Sequence, residues 1–236
     1  MRIIAVIPTY NEAENLPAIV AALLELPLDL SVLVVDDASP DGTGALADGL
    51  AKNHPGRVEV LHRKGRRGLR GAYVEGFRLA FERKPDAIAR MDADFSHDPA
   101  RLPDMAAALA DADMVLGSRY VPGGSVDQRW PIWRKGLSAW GNLYARSILG
   151  MNLRDMTTGY RLWRREVLEA MPLDKIHSSG YVFLVEMVYI AQRLGLRLAE
   201  VPIHFNDRRY GTSKMSLRIQ LEAAARIWQV RFSHPR

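Results

Sequence analysis

The stretch Leu30–Gly42, LSVLVVDDASPDG, runs apolar from Val32 to Val35 and then meets two acids, a proline and a glycine. β-Branched residues dominate the run, and the turn formers Ser39, Pro40, Asp41 and Gly42 close it, which is the pattern of a short strand. Polar and apolar side chains do not alternate along it, so both faces of the strand are meant for burial. That points to a sheet covered on both sides by helices. The surrounding chain agrees. RIIAVIP (residues 2–8), RVEVLHR (57–63), DAIARMDAD (86–94) and ADMVLGSRY (112–120) read as further strands. Between them NEAENLPAIVAALLEL (11–26), DGTGALADGLAKNH (41–54), GAYVEGFRLAFERK (71–84) and PARLPDMAAALAD (99–111) carry helical spacing. In the first of these Asn11 is placed to cap, with Glu12 and Glu14 in the acid-favouring first turn. Strand and helix alternate to about residue 120, which predicts an α/β fold with a mostly parallel sheet and helices on both faces.

Beyond Val121 the texture changes. VPGGSVDQRWPIWRKG (121–136) reads as a loop, followed by helices over GLSAWGNLYARSILG (136–150) and SGYVFLVEMVYIAQRLG (179–195). LRLAEVPIHF (196–205) reads as a strand, and MSLRIQLEAAARIWQVRF (215–232) as a helix with Leu217, Leu221, Ala224 and Trp228 along one face. MNLRDMTTGYRLWRREVLEAM (151–171) lies between without an assigned element. No repeat, low-complexity tract or linker divides the chain, so one domain over residues 1–236 is expected.

The 236 residues are 48% hydrophobic and 25% charged, an ordinary globular composition. There is no cysteine, which excludes disulfides and thiolate chemistry. The N-terminus enters the first strand without a signal-peptide pattern, and the longest apolar stretches, interrupted by Glu25 and Glu186, are too short to span a bilayer. A soluble chain is expected, with surface association left open. The net charge of +5 favours anionic partners such as a nucleotide, an acidic lipid or nucleic acid. Basic residues cluster at His62–Arg70, Arg129–Lys135, Arg161–Arg165 and Asp207–Lys214. One such cluster is usually a solvated face; four in a compact chain argue for a phosphate-binding surface.

Ligands of parallel sheets sit outside the carboxyl ends of the strands. PTYNE, DDASPD, DADFSHD and GSRY all fall there. Neither GxGxxG after the first strand nor GxxxxGK[ST] occurs, which disfavours a dehydrogenase and a P-loop NTPase. Asp92 and Asp94, one residue apart, can serve one hard divalent cation such as Mg2+, completed by substrate phosphates and water. The competing readings are a phosphate reached through a metal and a plain solvated loop, since DxD is short. Ser96 and His97 stand close by, and a lone histidine is more often structural. One of Asp36 and Asp37 is placed to accept from a nucleoside base or ribose, with Tyr10 and Glu12 beside it, although Tyr10 equally suits packing. Asp41 or Ser39 suits a helix cap.

Taken together, VIPTYNEAENL, VLVVDDASPDGT, RMDADFSHDP, LGSRYVPGG, WRKGLSAWGN, TGYRLWRREVL, GYVFLVEM and DRRYGTSKM resemble the family-2 glycosyltransferases of the dolichol- or polyprenol-phosphate mannose synthase type. The likeness covers residues 3 to about 216 in order. It implies a GT-A fold, with a nucleotide-sugar-binding part over 1–120 and an acceptor-binding part with the C-terminal helix over 121–236. It further implies GDP-mannose as donor, polyprenyl phosphate as acceptor, and Mg2+ or Mn2+ as cofactor. Position by position, Pro8, Tyr10, Glu12 and Asp37 would line the nucleoside site. Asp92 and Asp94 would hold the metal on the donor diphosphate, with Ser96 close by. Arg119, Arg134 and Ser138 would meet phosphates of donor and acceptor, all three being expected at the acceptor phosphate. Arg208 and Lys214 would close over the site, with Asp94, Arg119, Arg134 and Arg208 carrying catalysis. Similar proteins usually have a small residue where Arg70 stands, so the resemblance assigns no role to that loop.

The rivals are another donor such as UDP-glucose, a metal-dependent nucleotidyltransferase, and a basic module that binds anionic membranes or nucleic acid. Against these, the residues favour the transferase, acting on lipid rather than nucleic acid at the cytoplasmic face of a membrane, with room for a separate membrane-embedded partner protein. Trp130, Trp133 and Trp140, in the Pro/Arg/Gly-rich loop and just beyond it, are the expected membrane contact. The C-terminal helix, with Trp228, Arg218, Arg226 and Arg231, is expected mainly to close the domain.

Overall fold

The chain pairs its first strand, β1 (Arg2–Thr9), in parallel with β2 (Asp29–Asp36) on one side and β4 (Ala87–Arg90) on the other. This computed structural model describes residues 1–65, 68–176, 178, 180, 182–207 and 217–234, and only the backbone of 217–222. β3 (Val58–His62), β5 (Met114–Ser118), β7 (Arg161–Arg164) and β8 (Leu198–Pro202) complete a seven-stranded sheet in the order β3-β2-β1-β4-β7-β5-β8. β7 alone runs antiparallel, between β4 and β5. The short strands β6 (Ser125–Val126) and β9 (His204–Phe205) pair separately in parallel. Because β8 joins β5, the second half of the chain extends the sheet begun by the first.

Alternate residues of β1 feed two cores. Ile3, Ala5 and Ile7 face α1 (Leu16–Leu24), α2 (Thr43–Asn53) and α4 (Leu102–Ala108), where Ile19, Leu23, Ala47 and Met105 are buried. Ile4 and Val6 face α3 (Gly68–Glu82), α5 (Ile132–Leu149), α6 (Arg165–Ala170), α7 (Val182–Arg193) and α8 (Leu217–Ser233), where Tyr73, Phe77, Phe183 and Val230 are buried. The expected α/β architecture with both faces covered is what forms. Gly76 lets α3 lie directly on the sheet: a Cβ there would stand 2.7 Å from Val6 Cγ1 and 2.8 Å from Val35 Cγ2.

Several local expectations are corrected. The first helix begins at Leu16 rather than Asn11, which has φ 60° and cannot start a right-handed helix. Asp41 does bond the start of α2, accepting from Thr43 N at 3.1 Å, but it also accepts from Ala13 N at 3.1 Å and so ties two loops together. α5 starts at Ile132, inside the stretch read as loop, so Trp133 is helical, while Trp140 falls in the helix expected there. The stretch read as one strand at 196–205 is split into β8 and β9.

Candidate active site

The carboxyl ends of β1, β2, β4 and β5 open on one edge, and the loops after them are locked to each other. Asp37 N donates to Thr9 O at 3.0 Å, Asn11 N to Ser39 Oγ at 3.1 Å, and Glu12 N to Thr43 Oγ1 at 3.0 Å. These bonds tie the loop that carries Pro8, Tyr10 and Glu12 to the one that carries Asp37. Asp36 is spent on structure, accepting from Thr9 Oγ1, Ser39 N and Ser39 Oγ. Asp37 is gripped by the buried guanidinium of Arg63 and by Gly68 N at 3.0 Å. Gly71 makes room for that arginine, since a Cβ there would stand 2.3 Å from its Nη2. Arg70 enters the first turn of α3, its Nε buried and without a hydrogen-bond partner among the described residues.

Asp92 and Asp94 follow β4 on a tight loop. Asp94 is buried and accepts from Ser96 N at 3.1 Å and Ser96 Oγ at 2.6 Å. The Asp92 side chain is 37% exposed; it receives Tyr73 OH at 3.4 Å, and Arg90 lies 3.7 Å away. Arg90 is itself buried, donates to Gly159 O at 2.8 Å, and sits 4.0 Å over the Tyr73 ring. A fixed cation therefore partly neutralises Asp92. His97 is buried under the same loop, and its Nδ1 accepts from Asp92 N at 3.2 Å. Burial pushes its pKa down, outweighing the attraction of Asp92 and Asp94, so the 3.9 Å approach of ring and Asp92 carboxylate is not an ion pair. The donor set, two carboxylates and the Ser96 hydroxyl, is hard oxygen and fits Mg2+ or Mn2+. Among the described residues no group of three His, Cys, Asp or Glu gathers as a ready cage.

The basic side of the edge is built on Phe205. Its ring meets His97 at 5.5 Å and Trp130 at 5.6 Å, and the guanidinium of Arg119 at 5.2 Å. Arg119 is locked onto buried Asp155: its backbone N, Nε and Nη2 donate at 3.0, 2.7 and 2.8 Å, and Nη2 also reaches Thr157 Oγ1 at 2.7 Å. Desolvation would raise the Asp155 carboxyl, but the Arg119 charge and hydrogen bonds overcome it and hold the pKa below the usual carboxylate range. Arg134, at the start of α5, stacks 3.7 Å over the Trp130 ring and approaches Asp207 at 3.4 Å. Ser138, one turn on, accepts from Tyr120 OH at 2.7 Å. Asn142 then joins α5 to the Arg119 network through Thr157 Oγ1 at 3.1 Å.

Asp92, Asp94 and Ser96 thus share one loop, and Arg119, Arg134 and Ser138 share one network, linked to that loop through Phe205. Arg208 and Lys214 lie outside the described residues. Asp155, Arg63, Arg90 and Phe205 were not singled out from sequence. The positions of Arg63 and Arg90 at strand ends were the available signal. Trp130 corrects the expected membrane loop: it is only 6% exposed, packed on Phe205 and covered by Arg134. Trp133 and Trp140 are exposed, at 68% and 54%. On α8, Ile227 and Val230 close the core while Trp228 and Phe232 remain exposed, so that helix has an outward apolar face as well.

Solved structures share this architecture. A mannosyltransferase from Pyrobaculum calidifontis in complex with GDP-Man and Mn2+ superposes with TM-score 0.67 and 20% identity, covering all of this chain and 65% of that one. Glucosyl-3-phosphoglycerate synthase from Mycobacterium tuberculosis, with Mn2+, UDP and glucosyl-3-phosphoglycerate, gives TM-score 0.67 at 17% identity over 97% of this chain and 78% of that one. These likenesses show the fold, which is GT-A. Residues 4–171 match Glycosyl transferase family 2, and the chain belongs to that family. It is 50% identical over 227 residues to undecaprenyl-phosphate mannosyltransferase of Micrococcus luteus, across 96% of this chain and 93% of that protein. It is 48% identical to polyprenol monophosphomannose synthase of Mycolicibacterium smegmatis, across 91% and 81%.

Proposed function

We propose that this protein is an inverting mannosyltransferase that moves mannose from GDP-mannose to a polyprenyl phosphate at a membrane surface. The names of its half-identical relatives and the GDP-Man complex of a structural neighbour support the substrates. The observation that carries the reading is at the foot of α5. There Arg134, a partly exposed cation within one network of the acid edge, directly follows Trp133, an exposed aromatic. A phosphate head with an apolar tail asks for that juxtaposition.

Residues 1–120 hold the nucleotide sugar and residues 121–236 the acceptor. Asp92 and Asp94, with Ser96, would hold Mg2+ or Mn2+, which when bound neutralises the donor diphosphate. Pro8, Tyr10, Glu12 and Asp37 line the nucleoside side. Arg134 and Ser138 receive the acceptor phosphate, and Arg119, anchored by Asp155, sets the shape and charge of its pocket. Arg208 and Lys214 are assigned to closing over the substrates.

A phosphate monoester with a second pKa of about 6 is already nucleophilic near neutrality, so no strong general base is needed. Its oxygen forms the new bond to the anomeric carbon as the bond to the diphosphate breaks. The electron pair leaves with GDP, and in-line attack converts an α-linked donor to a β-linked product. Alignment and charge neutralisation supply the catalysis.

No described helix is long and apolar enough to cross a membrane. The exposed side chains of Ile132, Trp133, Trp140 and Leu143 on α5 and Trp228 and Phe232 on α8 would instead rest on it. Trp228 Nε1 donates to Tyr144 OH at 3.1 Å, joining the two helices into one face. Basic Arg129, Lys135, Arg146 and Arg231 lie on the same two helices or just before them, and aromatic rings with cations suit the interfacial zone of the cytoplasmic leaflet.

Thermal-shift titration with GDP, UDP and CTP, each with Mn2+, tests the donor assignment. GDP should stabilise most. A preference for UDP would replace mannose by another sugar, and one for CTP would favour nucleotidyl transfer.

A further inference from the structure

The loop carrying Asp92 and Asp94 contains a strained turn, with Phe95 at φ 60°, and such a turn persists only where its surroundings hold it. His97 supplies much of that hold. Its ring stacks on Tyr160 at 5.3 Å and 30°, meets Phe205 edge-on at 5.5 Å and 76°, and is wholly buried. Its backbone bridges to Phe205, and Asn206 N donates to Ser96 O at 3.2 Å. The ring's Nδ1 accepts the Asp92 amide at 3.2 Å, which places the ring proton on Nε2. Nε2 is buried and has no hydrogen-bond partner among the described residues.

That orphan donor is informative. A phenyl or leucine side chain would fill the same apolar slot without burying an unsatisfied N–H, so packing alone does not explain an imidazole there. What the imidazole adds is one acceptor, aimed at the backbone of a metal-ligand candidate. Gly159 completes the fit: a Cβ there would stand 2.8 Å from His97 Cε1 and 3.3 Å from Asp92 Oδ2.

We propose that His97 is a positioning residue for the metal site, fixing through Nδ1 and its clamped ring the direction in which Asp92 presents its carboxylate. The inference rests on Asp92 and Asp94 being the metal ligands. Outer partners that orient metal ligands typically change affinity by about 10–100-fold when removed.

The test is Mn2+ affinity at saturating GDP, read from the electron paramagnetic resonance of the uncomplexed ion, in the full-length protein. His97→Leu should lose affinity within that range. His97→Asn, whose amide oxygen can take the same proton, should stay near wild type. Gly159→Ala, which intrudes on the ring without changing its chemistry, should weaken binding in the same direction as His97→Leu. Wild-type affinity in His97→Leu overturns the proposal, as does equal loss in His97→Asn and His97→Leu with melting temperatures unchanged. Should His97→Leu fail to fold, unimpaired binding by Gly159→Ala overturns it. Wild-type protein that binds no Mn2+ with GDP or UDP would instead remove the metal site itself, and the role of His97 with it.

Discussion

Replacing Asp155 by Asn removes one charge from the interior and leaves the guanidinium of Arg119 facing an amide. In the native protein that carboxylate accepts three hydrogen bonds from Arg119 and is fully buried. Removing one partner of a buried, hydrogen-bonded pair costs about 3–5 kcal/mol, because the other charge stays desolvated. For a chain of this size each kcal/mol moves the melting temperature by about 2–4 °C, so the expected fall is roughly 6–20 °C. The pH dependence has a definite sign. The folded carboxyl has a lowered pKa, so its contribution is fully present above the ordinary unfolded value of about 3.9 and is lost as pH falls through the lowered folded value. The gap between wild type and Asp155→Asn should therefore be flat from pH 5 to 8 and narrow only in stronger acid. Urea unfolding and thermal melts across that range measure it. A loss below about 1 kcal/mol, the scale of an exposed pair, would refute the reasoning.

Asp94→Asn should keep the fold, since its side-chain oxygen can still accept from Ser96, while metal-dependent GDP binding and transfer are abolished; wild-type turnover would exclude Asp94 as a ligand. Arg134→Ala should raise the KM for the lipid acceptor by roughly 10–150-fold, the worth of a charge-assisted hydrogen bond, and that for GDP-mannose far less. Lysine there should not fully rescue, because a point charge cannot copy the guanidinium fork; equal effects on both substrates would contradict an acceptor role. Trp133→Ser with Trp140→Ser should reduce co-sedimentation with anionic vesicles at low salt and leave stability near wild type, whereas Trp130→Ala should destabilise by about 3–5 kcal/mol as a core deletion. No vesicle binding by wild type, with full activity on detergent-dispersed acceptor, would assign the exposed face to a membrane-embedded partner.

The first half of the sheet was legible because burial on both faces writes a strand as a continuous apolar run, and β1, β2 and β5 are such runs. β7 was not, because Arg161 and Arg164 bound it. Arg161 is fully buried, its guanidinium bonded to the carbonyls of Met156, Thr158 and Leu184, and desolvation drives its pKa well down. No periodicity rule expects a core arginine. Asp92 and Asp94 announced themselves by position, as acids at a strand's end. The Asp155 grip on Arg119 did not, since it joins residues 36 apart in sequence whose meeting depends on the reversed strand. Trp130 departs from its expected exposure for a related reason. A tryptophan in a segment without regular structure looks exposed until Phe205, brought in by β9, supplies the surface that buries it.

The most direct measurement is product identification after incubating the full-length protein with labelled GDP-mannose, Mn2+ and a short-chain polyprenyl phosphate. Label should pass into the lipid phase as β-linked mannosyl phosphate, with GDP released in equal amount. Absence of lipid-linked mannose, with transfer seen instead from another nucleotide sugar or to a water-soluble acceptor, would contradict it.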